Sequence, residues 1–212
     1  MVPAGYGLLL AMMEPPAALE AEFNEWYDTE HLPERAAVDG FLTARRFVCI
    51  EGWPRYLALY DLERVEVLHE PSYAAVGGAR QSPWSKRTQG FVGGLLRAEG
   101  VQLYPGDALT GAQGRAARLV LWHFRGVPES DTARIVPGLR AIYEDRPETA
   151  QLRVFRIEHD DEVGFVGLVE LRLPRPLAGL DLAPLGGAAR CIDALNQYVP
   201  YRRGGGLPGL FR

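Results

Sequence analysis

The chain has 212 residues, 47% of them hydrophobic and 24% charged, which supplies apolar surface for a core and enough charge to stay dissolved, and excludes a disordered chain. Its 23 basic and 27 acidic side chains are interspersed, for a formal net charge of −4, and no long basic run marks a surface for nucleic acid. Cys49 and Cys191 stand far apart without C-x-x-C spacing, so neither a zinc site nor a disulfide is expected, and both are read as small packed residues. The apolar run within Met1 to Met13 is too short to cross a bilayer and lacks a basic leader and a cleavage site; a cytoplasmic protein with no membrane partner is expected.

Gly7 to Met13 is short and apolar, which suits a strand buried on both faces. After Pro15 and Pro16, the spacing of Leu19, Phe23, Trp26 and Tyr27 predicts one face of a helix, ending near His31 because Pro33 disfavours helical geometry before it. Asp39-Gly40 makes a turn, and Phe41 to Ile50 with Tyr56 to Leu62 read as a hairpin around Gly52, Trp53 and Pro54. A weaker helical stretch covers Val65 to Ala75, and Phe91 to Tyr104 closes a β-α-β-β-α-β unit.

Pro105 to Arg115 reads as a linker, and the order then repeats. Leu119 to Phe124 is a strand, Ser130 to Arg146 a helix interrupted at Pro137-Gly138, and Leu152 to Glu158 with Phe165 to Leu171 a strand pair. Arg45-Arg46-Phe47 lies over Arg153-Val154-Phe155, and Tyr56 to Leu62 over Phe165 to Leu171, including an acid near the end of each. The expected fold is therefore α+β: two tandem ferredoxin-like units, residues 1–104 and 117–212 with a linker at 105–116, whose antiparallel sheets face each other as a pseudo-dimeric α/β barrel. The second unit is expected to be truncated after Leu195, with an irregular tail through Tyr201 and the following glycines. The enclosed space is a candidate ligand site, and two barrels associating as a homodimer stays open.

The stretch Trp26-Tyr27-Asp28-Thr29-Glu30-His31-Leu32-Pro33, with Gly40-Phe41, Arg45-Arg46-Phe47 and Tyr56 to Tyr60, resembles the EthD-like branch of the dimeric α/β-barrel superfamily. There a helix ends in a His-x-Pro element ahead of the second strand. The resemblance covers about Gly7 to Tyr104 and is only topological beyond, where Arg146-Pro147 replaces His-x-Pro. It implies the fold. It leaves the chemistry open, since the superfamily includes cofactor-independent oxygenases, isomerases, polyketide cyclases, decarboxylases and haem enzymes.

The family's histidine corresponds to His31. Imidazole titrates near neutrality, and Asp28 three residues earlier on the helix is positioned to fix its tautomer; the alternative is a helix-terminal histidine that only complements the macrodipole. Trp26, Tyr27, Phe47, Tyr56, Tyr60 and Trp84 form an aromatic group suited to a planar apolar ligand, or an ordinary core. His123 shares a strand face with Leu119 and Leu121, and Asp61 and Glu170 occupy equivalent positions as buried acids or as partners of Arg45 and Arg153. Histidines at ligand spacing and the common nucleotide loops are both missing from the sequence, so no metal and no cofactor is expected, with haem on His31 or His123 as a minor alternative. Two functions remain. One is a cofactor-independent enzyme on a small hydrophobic or aromatic molecule with His31 as general acid or base; the other is a non-catalytic barrel that binds a ligand or a protein.

Overall fold

The computed structural model describes residues 5–114, 116–159 and 162–201. Its strands are β1 (Gly7–Glu14), β2 (Arg45–Glu51), β3 (Tyr56–Leu62), β4 (Gly93–Tyr104), β5 (Arg118–Phe124), β6 (Thr149–His159), β7 (Glu162–Leu171) and β8 (Ile192–Pro200). They close into one antiparallel barrel in the order β1-β3-β2-β8-β5-β7-β6-β4. The two groups of four strands do more than face each other, because β2 pairs with β8 and β4 with β6. Closure leaves the sheet without an unpaired edge.

The register repeats between the halves. Asp61 stands opposite Leu8, and Leu59 opposite Leu10 and Arg45; in the second half Glu170 stands opposite Leu119, and Leu168 opposite Leu121 and Arg153.

Alternation gives β1, β3, β5 and β7 two buried faces, which is why they read as continuous apolar runs, whereas β2 and β4 carry exposed residues. Inward-pointing Leu8, Leu10, Leu59, Leu121, Phe155 and Leu168 meet in one cluster and fill the barrel. Of the two possibilities left open by the sequence, a filled interior or a ligand space, the interior is a packed core. The outward faces are covered by helices: Leu9, Tyr60 and Leu62 by Phe23 and Trp26 of α1 (Glu20–Trp26), and Val120 and Trp122 by Ile135 and Leu139 of α5 (Glu129–Tyr143).

Several boundaries differ from expectation. The first helix does not end at His31; it passes through a π turn (Tyr27–His31) into α2 (Leu32–Ala36), with Pro33 in the opening turn of α2 where a missing N–H costs little. The weak helical stretch splits into a 3-10 turn (Val65–His69) and α3 (Pro71–Ala75), and α4 (Pro83–Phe91) occupies a segment the apolar pattern missed. α5 runs unbroken across Pro137, because Ile135, Leu139 and Ile142 are buried on one face and that packing outweighs the lost bond.

β8 is a full strand, so the second half is not truncated at Leu195. Its period is hidden by buried polar residues with partners: Asn196 donates to the Trp53 carbonyl at 2.8 Å and Gln197 to the Arg175 carbonyl at 3.0 Å. The tail at 202–212 lies outside the described residues. No helix among the described residues is long and apolar enough to cross a membrane.

The connection after β4 is a lid on one barrel end. Thr110 N–H donates to Asp61 at 2.6 Å and Gly111 N–H to Glu170 at 3.0 Å, while Arg153 donates to Asp61 at 2.6 Å and to Thr110 Oγ1 at 2.7 Å. Burial pushes the Asp61 carboxyl up, but Arg153, Thr43 and Thr110 outweigh it and hold it below the usual range. For Glu170 burial prevails over the Gly111 N–H and Arg153, and its pKa is raised. This cluster joins the two halves and makes no part of a cavity wall described below.

Candidate functional site

A cavity of about 190 Å³ lies outside the barrel, between the outer face of β1, β3 and β4 and the helices of the first half. Leu9, Ala11 and Met13 of β1 form an apolar floor, beside Tyr60 and Arg97 from the neighbouring strands. Trp26, Tyr27, His31 and Arg35 descend from the α1–α2 helix, and Tyr73, Gln81, Gln89 and Val92 complete the wall. Leu95, also in the wall and 66% exposed, marks the side that reaches the surface.

The π turn sets this arrangement. The Leu32 N–H bonds to the Tyr27 carbonyl, five residues back, which widens the turn; such bulges are frequent at functional sites. The widened turn lays the His31 ring 4.4 Å from Trp26 and 4.9 Å from Tyr27 between centroids. Trp26 is fixed in turn, donating through Nε1 to Ser85 Oγ of α4 at 2.9 Å, and Ser85 donates to Glu30 of the π turn at 2.8 Å.

His31 Nδ1 is buried with no hydrogen-bond partner among the described residues. Burial, and then the charges of Arg35 and Arg46, lower the imidazole pKa from 6.5 to about 3, so the ring is neutral at physiological pH. Tyr27 and Tyr60 stand 3.2 Å apart between hydroxyl oxygens, and burial raises the pKa of both, so they remain phenols. One phenol donates to the other, which leaves the second proton for a group in the cavity.

Of the residues expected from sequence, the cavity gathers His31, Trp26, Tyr27 and Tyr60. Asp28 does not orient His31. Its carboxylate binds Arg46 at 2.5 Å and accepts from Tyr201 OH at 3.1 Å, because the π turn breaks the three-residue periodicity that an ordinary helix would give the pair. Arg46 is in turn held over the rings of Tyr27 and Tyr201, at 4.3 and 4.1 Å.

Four more of the expected residues stand apart from the cavity. Phe47 is in the barrel interior, Tyr56 hydrogen-bonds Glu20 and Asn24 behind α1, and Trp84 packs on the first-half core without reaching the cavity. His123 lies at a separate space of about 40 Å³, with Nδ1 2.8 Å from the Asp193 carboxylate.

Arg35, Tyr73, Gln81, Gln89 and Arg97 were not expected. Arg35 follows His31 by four residues and shares its face once the helix is carried past Pro33; Ser82-Pro83, a cap followed by a first-turn proline, announces the helix that carries Gln89.

Among the described residues no group of three or more His, Cys, Asp or Glu is placed to hold a metal ion. A porphyrin does not fit either site: a cavity near 150 Å³ holds a single benzene ring, so neither space takes a macrocycle of four pyrroles.

No protein-family model and no curated protein sequence matches the chain. Solved structures share its fold. An anthrone oxidase-like protein superposes with a TM-score of 0.66 at 11% identity, over 94% of this chain and 92% of the other. A protein assigned as a monooxygenase from Lactobacillus acidophilus gives 0.52 at 5% identity over 93% of each chain. A chlorite dismutase variant from Candidatus Nitrospira defluvii, in complex with cyanide, gives 0.56 at 10% identity over 94% and 92%. The chain thus shares with these proteins the fold of a closed eight-stranded α/β barrel.

Proposed function

We propose that this chain is an enzyme that transfers a proton at His31 on a small hydrophobic or aromatic compound, using no bound cofactor. The observation that carries this reading is the buried, unpartnered Nδ1 of a neutral imidazole in the wall of an aromatic-lined cavity. Nδ1 accepts a proton from an activated C–H or O–H, and the free phenol proton of the Tyr27–Tyr60 pair stabilises the oxyanion formed. Anthrone oxidase-like and monooxygenase neighbours favour an oxygenase, in which the substrate anion reacts with dioxygen, over an isomerase, cyclase or lyase. The His31-Leu32-Pro33 element supports the EthD-like branch, and the repeated register supports two tandem ferredoxin-like units.

The test is dioxygen uptake, together with deuterium exchange at the activated carbon, over a panel of substituted phenols and hydroxynaphthalenes. His31→Ala is expected to lower the rate by about 10²–10⁴-fold, the usual loss on removing a general base. Unchanged turnover in the variant, or no exchange with any compound, overturns the reading. A second reading, a barrel that binds such a molecule without turning it over, is favoured by the weak basicity of His31, and it predicts saturable binding with no exchange.

A further inference from the structure

Arg35 is 3% exposed and, among the described residues, forms no ion pair with an acid, although its charge is felt by Glu34, the residue before it. It donates through Nη1 to the Val76 carbonyl at 2.7 Å and stands 5.3 Å from the Tyr73 ring centroid; the rest of its guanidinium fork has no acceptor among the described residues. The other two buried arginines differ. Arg46 and Arg153 hold carboxylates at 2.5 and 2.6 Å. A buried guanidinium that makes no ion pair is unfavourable, so a carboxylate partner belongs beside Arg35.

Among the described residues Glu34 feels the charge of Arg35 without pairing with it, and the cavity offers a place for a partner. Arg35 lines that cavity, and no carboxylate stands in its wall. The other guanidinium there, Arg97, is already satisfied by Glu99 and by Tyr73 OH at 3.3 Å. The open donor is therefore Arg35, one helical turn from the unpartnered Nδ1 of His31.

We propose that the cavity binds an aromatic carboxylate, its two oxygens on the guanidinium of Arg35 and its ring on the floor of Leu9, Ala11 and Met13. This names the charge of the ligand and rests on the preceding section for the location of the site. A planar fork of N–H donors matches a planar carboxylate better than any single-oxygen anion. The enclosed space holds one ring with that group attached, given that near 150 Å³ holds one benzene, and a second fused ring extends through the opening at Leu95. Bound there, the anion also offsets the positive charge that Arg35 imposes on His31 and makes the imidazole a better base.

The test is equilibrium binding without dioxygen, by calorimetry, of naphthoate and its neutral isostere naphthamide. Naphthoate is expected to bind the wild-type protein at least about tenfold tighter, the usual worth of a hydrogen bond to a charged group. Arg35→Gln is expected to abolish the preference, and Arg35→Lys to keep part of it, since lysine retains the charge without the fork. Equal affinities in the wild type, binding of neither compound, or a preference that survives Arg35→Gln overturns the proposal. If Arg35→Gln does not fold, the wild-type pair and Arg35→Lys decide. Carboxylate binding with no turnover of any compound would refute the enzymatic reading alone; turnover of neutral aromatics with no carboxylate preference would refute this one alone.

Discussion

At the scale of single residues, the state of His31 follows from what surrounds it rather than from its type. Above pH 6.5 the imidazole is neutral whether the chain is folded or not; between 6.5 and about 3 only the unfolded chain binds the proton. Stability therefore falls as pH falls through this window and levels off below it. Between pH 7 and pH 5 the loss from this group is at most about 2 kcal/mol, and urea titrations of the wild type and His31→Gln should differ by that amount. Parallel pH profiles for the two proteins would show that the imidazole is not shielded. The sequence nominates His31, Trp26, Tyr27 and Tyr60 through residue chemistry and spacing. It does not reveal that Asp28 serves Arg46, since that pairing spans 18 residues and depends on a turn with no signature of its own.

Among the elements, β1, β3, β5 and β7 were legible because both of their faces are buried and each is an apolar run; β8 escaped because its buried Asn196 and Gln197 look solvated until their partners are known. Helices were legible only where an apolar face was long enough. α4 shows little apolar periodicity and is held by polar contacts instead: Ser82 Oγ accepts from the Ser85 N–H at 2.9 Å and donates to Glu30 at 2.5 Å. Ser82→Ala removes both bonds and should cost about 1–2 kcal/mol by chemical denaturation. Because α4 also fixes Trp26 through Ser85, the loss should be accompanied by a change in tryptophan emission; a stability loss below about 0.3 kcal/mol would mean the cap is not used.

For the whole molecule, the barrel was readable as an inference from two uncovered sheet faces, and its packed interior was not, since filling depends on how side chains of both halves interlock. The first half alone would expose the inner apolar face together with the edges of β2 and β4, which in the full chain pair with β8 and β6. Residues 1–116 expressed alone should thus form a self-associated species, measured by light scattering, and a folded monomer with cooperative unfolding would contradict the account. With its sheet closed, the barrel offers no strand edge among the described residues, so a pairing of barrels through them must use helical faces or barrel ends.

The lid after β4 also makes the two halves chemically unlike. Their register places Arg45 and Arg153 at matching positions, yet Arg153 is sealed beneath the lid while Arg45 remains exposed. Two identical subunits would be bound by symmetry to change together, each substitution appearing twice. A single polypeptide is free of that constraint: a substitution under α5 leaves the face under the π turn as it was, and the two faces can change separately.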